Sequence, residues 1–269
     1  MKRWKRHLSG RLSKMLLGAT TLACLTIGQV GVATGADVGQ TPSDQKPTVL
    51  ITGANRGIGL ALAEHFHQQG FAVIGTARKP EEAIELKDIG VEVYRLDITD
   101  PESVASLKSE LVGRPLDILL NNAGIGGHST SQLKDLDIER LKNTFDVNSL
   151  GALRVVQALM PNMKMSSRRI VASMSSRMGS IQQNTGGAIG YRASKSALNS
   201  INKSLSNEFS EQGFVFVVLH PGWVRTAMTN DSATYSTEES ARHLYRVISE
   251  LSKKDNGQFY DLHGNSIAW

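Results

Sequence analysis

The sequence predicts a single α/β domain, in which a doubly wound parallel sheet of seven strands in the order 3-2-1-4-5-6-7 has helices on both faces. From Thr48 onward, short β-branched or aliphatic runs alternate with longer segments of helical period, the pattern of a parallel sheet covered by helices. A glycine-rich turn follows the first of these runs. Because crossovers between parallel strands are right-handed, few other strand orders remain.

The predicted elements follow one another without a repeat or a low-complexity tract. Strands are predicted for the apolar runs at residues 48–52, 71–77, 91–96, 116–121, 169–174, 214–219 and 258–260. Helices are predicted near residues 57–69, 80–88, 101–111, 137–163, 190–211 and 237–252. Gly70, Gly90 and Gly213 stand where helices should end, and Asp100 with Pro101 where one should begin.

The first 36 residues have the order of a secretory leader. A basic segment up to Lys14 precedes an apolar, small-residue segment from Met15 to about Ala33, and small residues continue to Ala36. We expect a signal peptide or an uncleaved membrane anchor in residues 1–36, a linker in residues 37–47 and the folded domain in residues 48–269. The protein would then be exported or membrane-anchored. The alternative is a cytoplasmic protein with an N-terminal extension.

The distribution of charge argues against a nucleic-acid partner. The chain has a net charge of +5, but residues 1–36 contain six of the 30 Lys and Arg and none of the 25 Asp and Glu. Residues 37–269 therefore contain 24 basic and 25 acidic side chains, a net charge of −1. No basic stripe with interleaved aromatic residues occurs there. The one cysteine, Cys24, lies in the leader, so an internal disulfide is excluded.

A cofactor site is predicted at the turn between the first strand and the first helix. Glycine permits a tight turn and lets the backbone approach a ligand closely. The unpaired N–H groups and the positive end of the helix dipole then favour a phosphate group. The turn therefore predicts dinucleotide binding by a Rossmann-like domain, through Gly53, Asn55, Arg56, Gly57, Ile58 and Gly59.

The run from Thr52 to Gly59 resembles the cofactor motif of the short-chain dehydrogenase/reductase family, and the resemblance extends from about residue 48 to the end of the chain. Asp97, which closes the third strand, matches the family position that contacts the adenine. Asn121–Gly124, after the fourth strand, match a segment beside the adenine ribose and the sheet. The segment from Pro221 matches the part that clamps the nicotinamide. The contacts implied beyond the glycine turn are Asp97, Ile98, Asn122, Ala123, Gly124, Tyr191, Lys195, Pro221, Gly222, Val224 and Thr226.

The end of the second strand favours NADP(H) over NAD(H). An NAD enzyme of this architecture usually has an acidic residue there for the ribose hydroxyls, whereas NADP requires positive charge for the 2′-phosphate. Here the strand ends in Arg78 and Lys79, with no acidic residue before Glu81. Arg78 can offer several N–H donors to a phosphate, and Arg56 can approach from the glycine turn.

A tyrosine and a lysine four residues apart are candidates for catalysis. Tyr191 and Lys195 lie at the start of the long helix near residues 190–211, so they project from the same helix face. A free tyrosine loses its proton at about pH 10, and a nearby ammonium favours the phenolate form. We therefore expect Lys195 to lower the pKa of Tyr191 towards the working pH.

Two serines and an asparagine complete the candidate set. Ser175 and Ser176 follow the fifth strand at the edge where doubly wound sheets bind ligands. The resemblance selects Ser176, three residues before Gly179. Ser175 remains the alternative, because the alternation of a strand is easily misjudged by one residue. Asn148 matches the family's helix asparagine, whose backbone and a bound water link the lysine to solvent.

The resemblance implies a reaction as well as a site. In carbonyl reduction, Tyr191 would protonate the substrate oxygen as hydride arrives from the nicotinamide, and Ser176 would hydrogen-bond that oxygen. Lys195 would lower the tyrosine pKa and hold the nicotinamide ribose, and Asn148 would support proton resupply. Oxidation of an alcohol is the reverse. The predicted catalytic residues are thus Asn148, Ser176, Tyr191 and Lys195.

Two loops indicate a small carbonyl or alcohol substrate. The connection from Ala227 to about Thr237 is too short to enclose a large steroid or acyl-carrier ligand. The stretch from Gly179 to Gly190 is somewhat longer than usual and is predicted to form the other wall. Together with residues 257–269, this stretch is similar to the carbonyl-reductase subgroup that includes C-factor-like and sniffer-like proteins. The family also implies homodimers or homotetramers.

Alternatives to an enzyme of this type remain at the level of sequence. A catalytically silent NADP-binding regulatory or signalling protein could use the same fold, although it would not need the tyrosine. An epimerase or dehydratase of the extended branch would have a larger C-terminal substrate domain. His65 and His67 diverge on a helix, so no metal site is predicted. His220 replaces a more usual small polar residue before Pro221, a departure without explanation in the sequence.

Overall fold

A parallel sheet organises the chain in the computed structural model, which describes residues 46–126, 133–229 and 231–269. Its strands are β1 (Thr48–Ile51), β2 (Ala72–Ala77), β3 (Glu92–Arg95), β4 (Ile118–Asn121), β5 (Ile170–Met174), β6 (Val215–His220) and β7 (Gln258–Asp261). The order β3-β2-β1-β4-β5-β6-β7, with every neighbouring pair parallel, confirms the predicted topology.

The helices are α1 (Gly57–Gln68), α2 (Ile84–Asp88), α3 (Pro101–Glu110), α4 (Ile138–Phe145), α5 (Ala152–Lys164), α6 (Ile189–Glu208) and α7 (Thr237–Glu250). A π-helical segment, Asp146–Gly151, joins α4 to α5. Asp100 caps α3 by accepting a 2.9 Å hydrogen bond from the N–H of Glu102, as its position predicted. Gly70 and Gly90 adopt φ of +85° and +84°, the left-handed conformation expected after a helix end.

The core lies in two layers, one on each face of the sheet. In β1, Val49 and Ile51 face one layer and Leu50 faces the other, and all three side chains are fully buried. Helices α1 and α7 cover the first layer, and α3 and α5 cover the second. A strand buried on both faces must be apolar at every position, which is why the strand signals in the sequence were continuous runs.

The structure divides two helices that periodicity had predicted as continuous. The expected helix at 80–88 is a short 3₁₀ turn at Pro80–Glu82 followed by α2. The expected helix at 137–163 contains the π-helical segment, where Gly151 lies against Ile98. A Cβ atom on Gly151 would lie 2.7 Å from Cδ1 of Ile98, so the close packing requires glycine. Periodicity alone does not register a one-residue widening of the helix.

The predicted leader at 1–36 and the linker up to residue 45 lie outside the described residues. The described residues fall within one compact unit, Asp44–Trp269. Across that part of the chain, every helix is too short or too polar to span a bilayer.

Candidate active site

The predicted site residues meet where β1, β4, β5 and β6 end. These central strands are parallel neighbours, so the segments that leave their carboxyl ends share one edge of the sheet. The glycine turn leaves β1, Asn122 follows β4, Ser176 follows β5 and Pro221 follows β6. The N-terminal turn of α6 brings Tyr191 to the same edge.

The glycine turn has the close packing that a phosphate cradle requires. Gly53 and Gly57 adopt φ of +64° and +57°, a conformation that other residues adopt only with strain. At Gly59, a Cβ atom would lie 2.3 Å from the carbonyl oxygen of Gly53 and 2.5 Å from Nδ2 of Asn122. No side chain can be accommodated at Gly59 without opening the turn.

Asn122 holds this turn to the sheet. Its Nδ2 donates to the carbonyl oxygens of Thr52 and Gly53 at 3.0 and 3.1 Å. Oγ1 of Thr52 accepts hydrogen bonds from the N–H groups of Asn122 and Ala123, both at 3.0 Å. The side chain of Asn122 therefore contributes by positioning the turn. Thr52 was not predicted as a site residue, although its place between β1 and the glycines was a usable signal.

The expected phosphate-binding arginines lie at the surface. Arg56 and Arg78 are both exposed, and within the described part of the chain neither guanidinium makes a hydrogen bond or an ion pair. Burial of Asp97 acts to raise its pKa, but hydrogen bonds from the hydroxyl and N–H of Thr99, together with the charge of Arg78, lower that pKa overall. The ionised Asp97 therefore faces the positive charge at the end of β2. The side chain of Ile98, another predicted cofactor contact, is 7% exposed and packs in the core.

Lys195 is the most strongly buried charged group of the site. Its side chain is 5% exposed, and Nζ donates a 2.8 Å hydrogen bond to the carbonyl oxygen of Met174, the last residue of β5. Burial lowers the pKa of Lys195 to about 8. Nζ lies 5.9 Å from the ring centroid of Tyr191. The lysine and the tyrosine thus share one side of α6, as their spacing predicted.

The pKa of Tyr191 shifts in the direction opposite to that expected from the sequence. Burial raises it, while a hydrogen bond with Ser176 acts in the lowering direction and is the weaker influence. The prediction that Lys195 lowers this pKa is therefore not met in the chain alone. Lys195 is itself desolvated and directed at Met174, so its charge does not offset the burial of the phenol.

The structure distinguishes the two candidate serines. The hydroxyl of Ser175 donates a buried 2.7 Å hydrogen bond to Oδ1 of Asn199 on α6, which directs it away from Tyr191. Ser176 is the serine whose hydroxyl lies near enough to the phenol of Tyr191 to lower its pKa, and its Oγ accepts from the N–H of Met178 at 3.2 Å. Ser176 therefore occupies the position that the resemblance selected.

Asn148 lies in the π-helical segment, and its side chain binds a neighbouring strand end. Oδ1 accepts from the N–H of Ile125 at 2.8 Å, and Nδ2 donates to the carbonyl oxygen of Ile125 at 3.0 Å. Nδ2 also donates to Oγ of Ser194 at 3.1 Å, and that hydroxyl donates to the carbonyl oxygen of Tyr191 at 2.8 Å. Ser194, which was not singled out in the sequence, thus links Asn148 to the turn of α6 that contains Tyr191.

The segment after β6 closes the site from the opposite side. Val224 is 3% exposed and forms a parallel bridge with Tyr235. Gly222 adopts φ of +88°, and a Cβ atom on it would lie 2.8 Å from Cδ2 of Tyr235. A Cβ atom on Gly57 would lie 3.6 Å from Cγ2 of Thr226, which places the predicted nicotinamide clamp directly beside the glycine turn.

The stretch from Gly179 to Gly190, which was predicted to form a wall of the site, is anchored at several points. Arg192 donates to the carbonyl oxygens of Gly186 and Gly187 at 2.9 and 3.2 Å and to Oγ1 of Thr185 at 3.0 Å. The carbonyl oxygen of Trp269 accepts from the N–H of Gln182 at 2.9 Å and from the hydroxyl of Ser180 at 3.2 Å. The last residue of the sequence therefore contacts the predicted substrate wall.

His220, the departure noted in the sequence, ends β6 beneath the site. Burial and the charge of Arg177 lower its pKa to about 4, against a smaller raising effect of Asp261, so the imidazole is neutral at physiological pH. Its Nδ1 has no hydrogen-bond partner among the described residues. Within those residues, no group of three or more His, Cys, Asp or Glu is arranged to bind a metal.

Comparison with known proteins gives one consistent family. The model of the short chain dehydrogenase family matches residues 47–236. C-signal of Myxococcus xanthus is 44% identical over 156 residues, which cover 58% of this chain and 93% of that protein.

Solved structures agree with this assignment. Carbonyl reductase Sniffer of D. melanogaster superposes with a TM-score of 0.80 at 32% identity and covers 84% of this chain and 100% of its own. The NADPH-bound carbonyl reductase from chicken fatty liver gives a TM-score of 0.77 at 32% identity, over 84% of this chain and 95% of its own. The fold, the glycine turn and the family match together show that the chain is a member of the short-chain dehydrogenase/reductase family of oxidoreductases.

Proposed function

We propose that the chain is an NADP(H)-dependent oxidoreductase that interconverts a small carbonyl compound and its alcohol, with Tyr191 as general acid and base. The observation that carries this proposal is the meeting of Ser176, Tyr191 and Lys195 at the sheet edge beside the glycine turn. A protein that only binds a nucleotide has no need of a desolvated phenol beside a serine hydroxyl and a buried lysine. We therefore prefer the enzyme to a catalytically silent NADP-binding regulatory or signalling protein.

The residues present fit an NADP(H) molecule. Gly53 and Gly57, with positive φ, form the tight turn at the N terminus of α1, where a pyrophosphate would approach, and that helix has no acidic residue in its first turn. Arg56 and Arg78 leave their guanidinium groups available for the 2′-phosphate. The relative from chicken fatty liver is described as NADPH-bound, which supports the same cofactor here.

The protein's own contribution to the reaction is the handling of one proton. The bound nicotinamide would supply or accept the hydride. Because burial raises the pKa of Tyr191, the phenol is protonated at neutral pH and can donate to a carbonyl oxygen that gains negative charge. The hydroxyl of Ser176 would donate a second hydrogen bond to the same oxygen. Lys195, with a pKa of about 8, is mainly a cation near neutral pH and stabilises the phenolate that remains.

The test is turnover by the purified full-length chain. NADPH and NADH binding would be measured by fluorescence titration, and NADPH oxidation would then be followed across a panel of small aldehydes and ketones. We expect Tyr191→Phe to retain NADPH binding and to lose at least about 100-fold in turnover, the size of a general-acid contribution. NADPH binding by the wild-type chain without turnover of any carbonyl would favour the regulatory alternative instead.

A further inference from the structure

We infer that Asn199 is a positioning residue of the active site, which fixes the hydroxyl of Ser176 against Tyr191 by binding both ends of the serine turn. The inference rests on the proposed function, since it assigns a supporting residue to the same site. Asn199 lies on α6 four residues after Lys195 and eight after Tyr191, so the three side chains stand on one face of the helix. It is 3% exposed.

The contacts of Asn199 bracket Ser176. Its Oδ1 accepts the 2.7 Å hydrogen bond from the hydroxyl of Ser175, the residue before Ser176. Its Nδ2 donates to the carbonyl oxygen of Gly179 at 3.2 Å, three residues after Ser176. A carbonyl oxygen can only accept, so the second contact fixes which end of the carboxamide faces each partner. One side chain thus holds residues 175 and 179 to the helix that carries Tyr191.

The packing of Gly179 makes this attachment close. A Cβ atom on Gly179 would lie 2.9 Å from Cβ of Lys195 and 3.1 Å from Nδ2 of Asn199. The backbone of the serine turn therefore packs directly against α6. The hydroxyl of Ser196 also donates to the carbonyl oxygen of Gly179 at 2.8 Å. The turn cannot move away from α6 without breaking buried hydrogen bonds, and a buried group left without a partner is costly.

This attachment has a consequence for the phenol. The nearby hydroxyl of Ser176 is the influence that lowers the pKa of Tyr191 against the effect of burial. If the serine turn loosens, that hydroxyl moves away from the phenol, so the pKa of Tyr191 should rise and proton transfer should slow. If Asn199 were only structural, its replacement would change the free energy of unfolding but leave the pKa of Tyr191 unchanged.

The chain supplies a matched control in Asn202. It is the same residue type on the same helix and is also 3% exposed, but among the described residues its only hydrogen bond is from Nδ2 to the carbonyl oxygen of Leu198 at 3.0 Å, within α6. Asn202→Ala therefore removes a buried carboxamide without touching the serine turn. We expect Asn202→Ala to change the free energy of unfolding and to leave the pKa of Tyr191 and kcat unchanged.

The experiment compares Asn199→Ala, Ser175→Ala, the double variant and Asn202→Ala in the full-length chain. The pKa of Tyr191 is read from the pH dependence of tyrosinate absorbance, as the difference between each protein and its Tyr191→Phe counterpart. The pH profile of kcat, KM and the NADPH Kd are measured in parallel. We expect both single variants to raise the pKa of Tyr191 and to lower kcat by about 10- to 100-fold with NADPH Kd unchanged, as for a misplaced catalytic group.

The double variant should be no worse than Asn199→Ala alone, because the hydroxyl of Ser175 acts through its contact with Asn199. An Asn199→Ala protein with the same Tyr191 pKa and kcat as Asn202→Ala would overturn the inference. If Asn199→Ala fails to fold, Ser175→Ala alone decides, since it removes the same contact from the other partner. The absorbance titration needs no turnover, so a wild-type chain inactive on every carbonyl would contradict the proposed function and still leave the role of Asn199 measurable.

Discussion

Among single residues, Lys195 shows how strongly burial in the fold changes the pKa of a side chain. The same burial that positions its ammonium at the end of β5 lowers its pKa from 10.5 to about 8. A buried cation destabilises the folded state, and the only hydrogen-bond acceptor that the described residues offer its Nζ is the carbonyl oxygen of Met174. Stability is therefore given up at the position where the proposed chemistry needs a positive charge.

This burial predicts an unusual pH dependence of stability. Between about pH 8 and 10.5 the unfolded chain binds the Lys195 proton more strongly than the folded one, so the lysine should increase the free energy of unfolding as pH rises through that window. Relative to Lys195→Met, the wild-type chain should gain up to about 3 kcal/mol, since each pKa unit corresponds to about 1.4 kcal/mol. Urea unfolding at several pH values measures this, and parallel curves for the two proteins would show that the lysine is not desolvated.

Arg78 gives a prediction for cofactor choice. Replacement by glutamate removes a donor for the 2′-phosphate and adds repulsion, so Arg78→Glu should weaken NADPH binding by about 10- to 100-fold or more, the loss expected for a hydrogen bond to a charged group. NADH binding should change little. Lys79→Glu is the control, because it makes the same charge change at the neighbouring exposed residue, which pairs with Glu82 at 2.6 Å. Equal losses in both variants would indicate a long-range effect of charge rather than a phosphate contact.

At the level of helices and strands, the sequence predicted which elements form, whereas the structure was needed to show where a predicted helix is interrupted. The alternation of strand-like runs with helical segments located all seven strands. The most continuous apolar runs mark central strands such as β1, which is buried on both faces, whereas the edge strands β3 and β7 contain polar and charged residues. The π-helical segment at Asp146–Gly151 could not be predicted, since it depends on the contact of Gly151 with Ile98, far away in sequence. π-helical turns are often found at functional sites, and this one contains Asn148.

The candidate active site also contains residues that the sequence predicted and residues that only the structure showed. Tyr191, Lys195 and Ser176 were found from spacing and motif, because each lies at a fixed place relative to an element end. Ser194 and Asn199 were not found, because serine and asparagine are common in helices and only their partners distinguish them. The direction of the Tyr191 pKa also required the structure, since burial is a property of the folded chain.

The first turn of α1 allows a prediction from two glycines. Gly59→Ala would place a methyl group 2.3 Å from the carbonyl oxygen of Gly53 and should abolish NADPH binding. Gly70→Ala, just beyond the end of α1, meets no atom within 4 Å and should cost only the strain of its positive φ, about 1 kcal/mol, with NADPH binding retained. Fluorescence titration and urea unfolding of both variants distinguish steric closure of the turn from backbone strain. Loss of binding in both would argue against a local cause.

At the scale of the whole domain, the segment after β7 returns to the loop that follows Ser176. After β7 the chain reverses, and Tyr260 and Ser266 form an antiparallel bridge. The ring of Trp269 packs on Phe259 at 5.6 Å between centroids, while its carbonyl oxygen binds Ser180 and Gln182. The sheet edge at β7 is therefore connected to the loop that follows Ser176.

This connection predicts the result of a short truncation. Deleting Trp269 removes the acceptor for the N–H of Gln182, so hydrogen exchange at that amide should accelerate and KM for the carbonyl substrate should rise, with NADPH Kd unchanged. Trp269→Ala keeps the backbone carbonyl and should show a smaller effect on both quantities. Unchanged exchange at Gln182 after the deletion would mean that the loop holds its conformation without the C-terminal segment.

The anchoring of the wall between Gly179 and Gly190 also bears on how the enzyme can evolve. Arg192 and Trp269 hold it through backbone atoms at three of five hydrogen bonds and otherwise through the hydroxyls of Ser180 and Thr185, while the side chain of Ile181 is 75% exposed. Mutations at such exposed positions alter the surface met by a substrate without disturbing the proton-transfer residues. Descendants of this chain can therefore acquire new substrate preferences one mutation at a time while the chemistry is inherited unchanged.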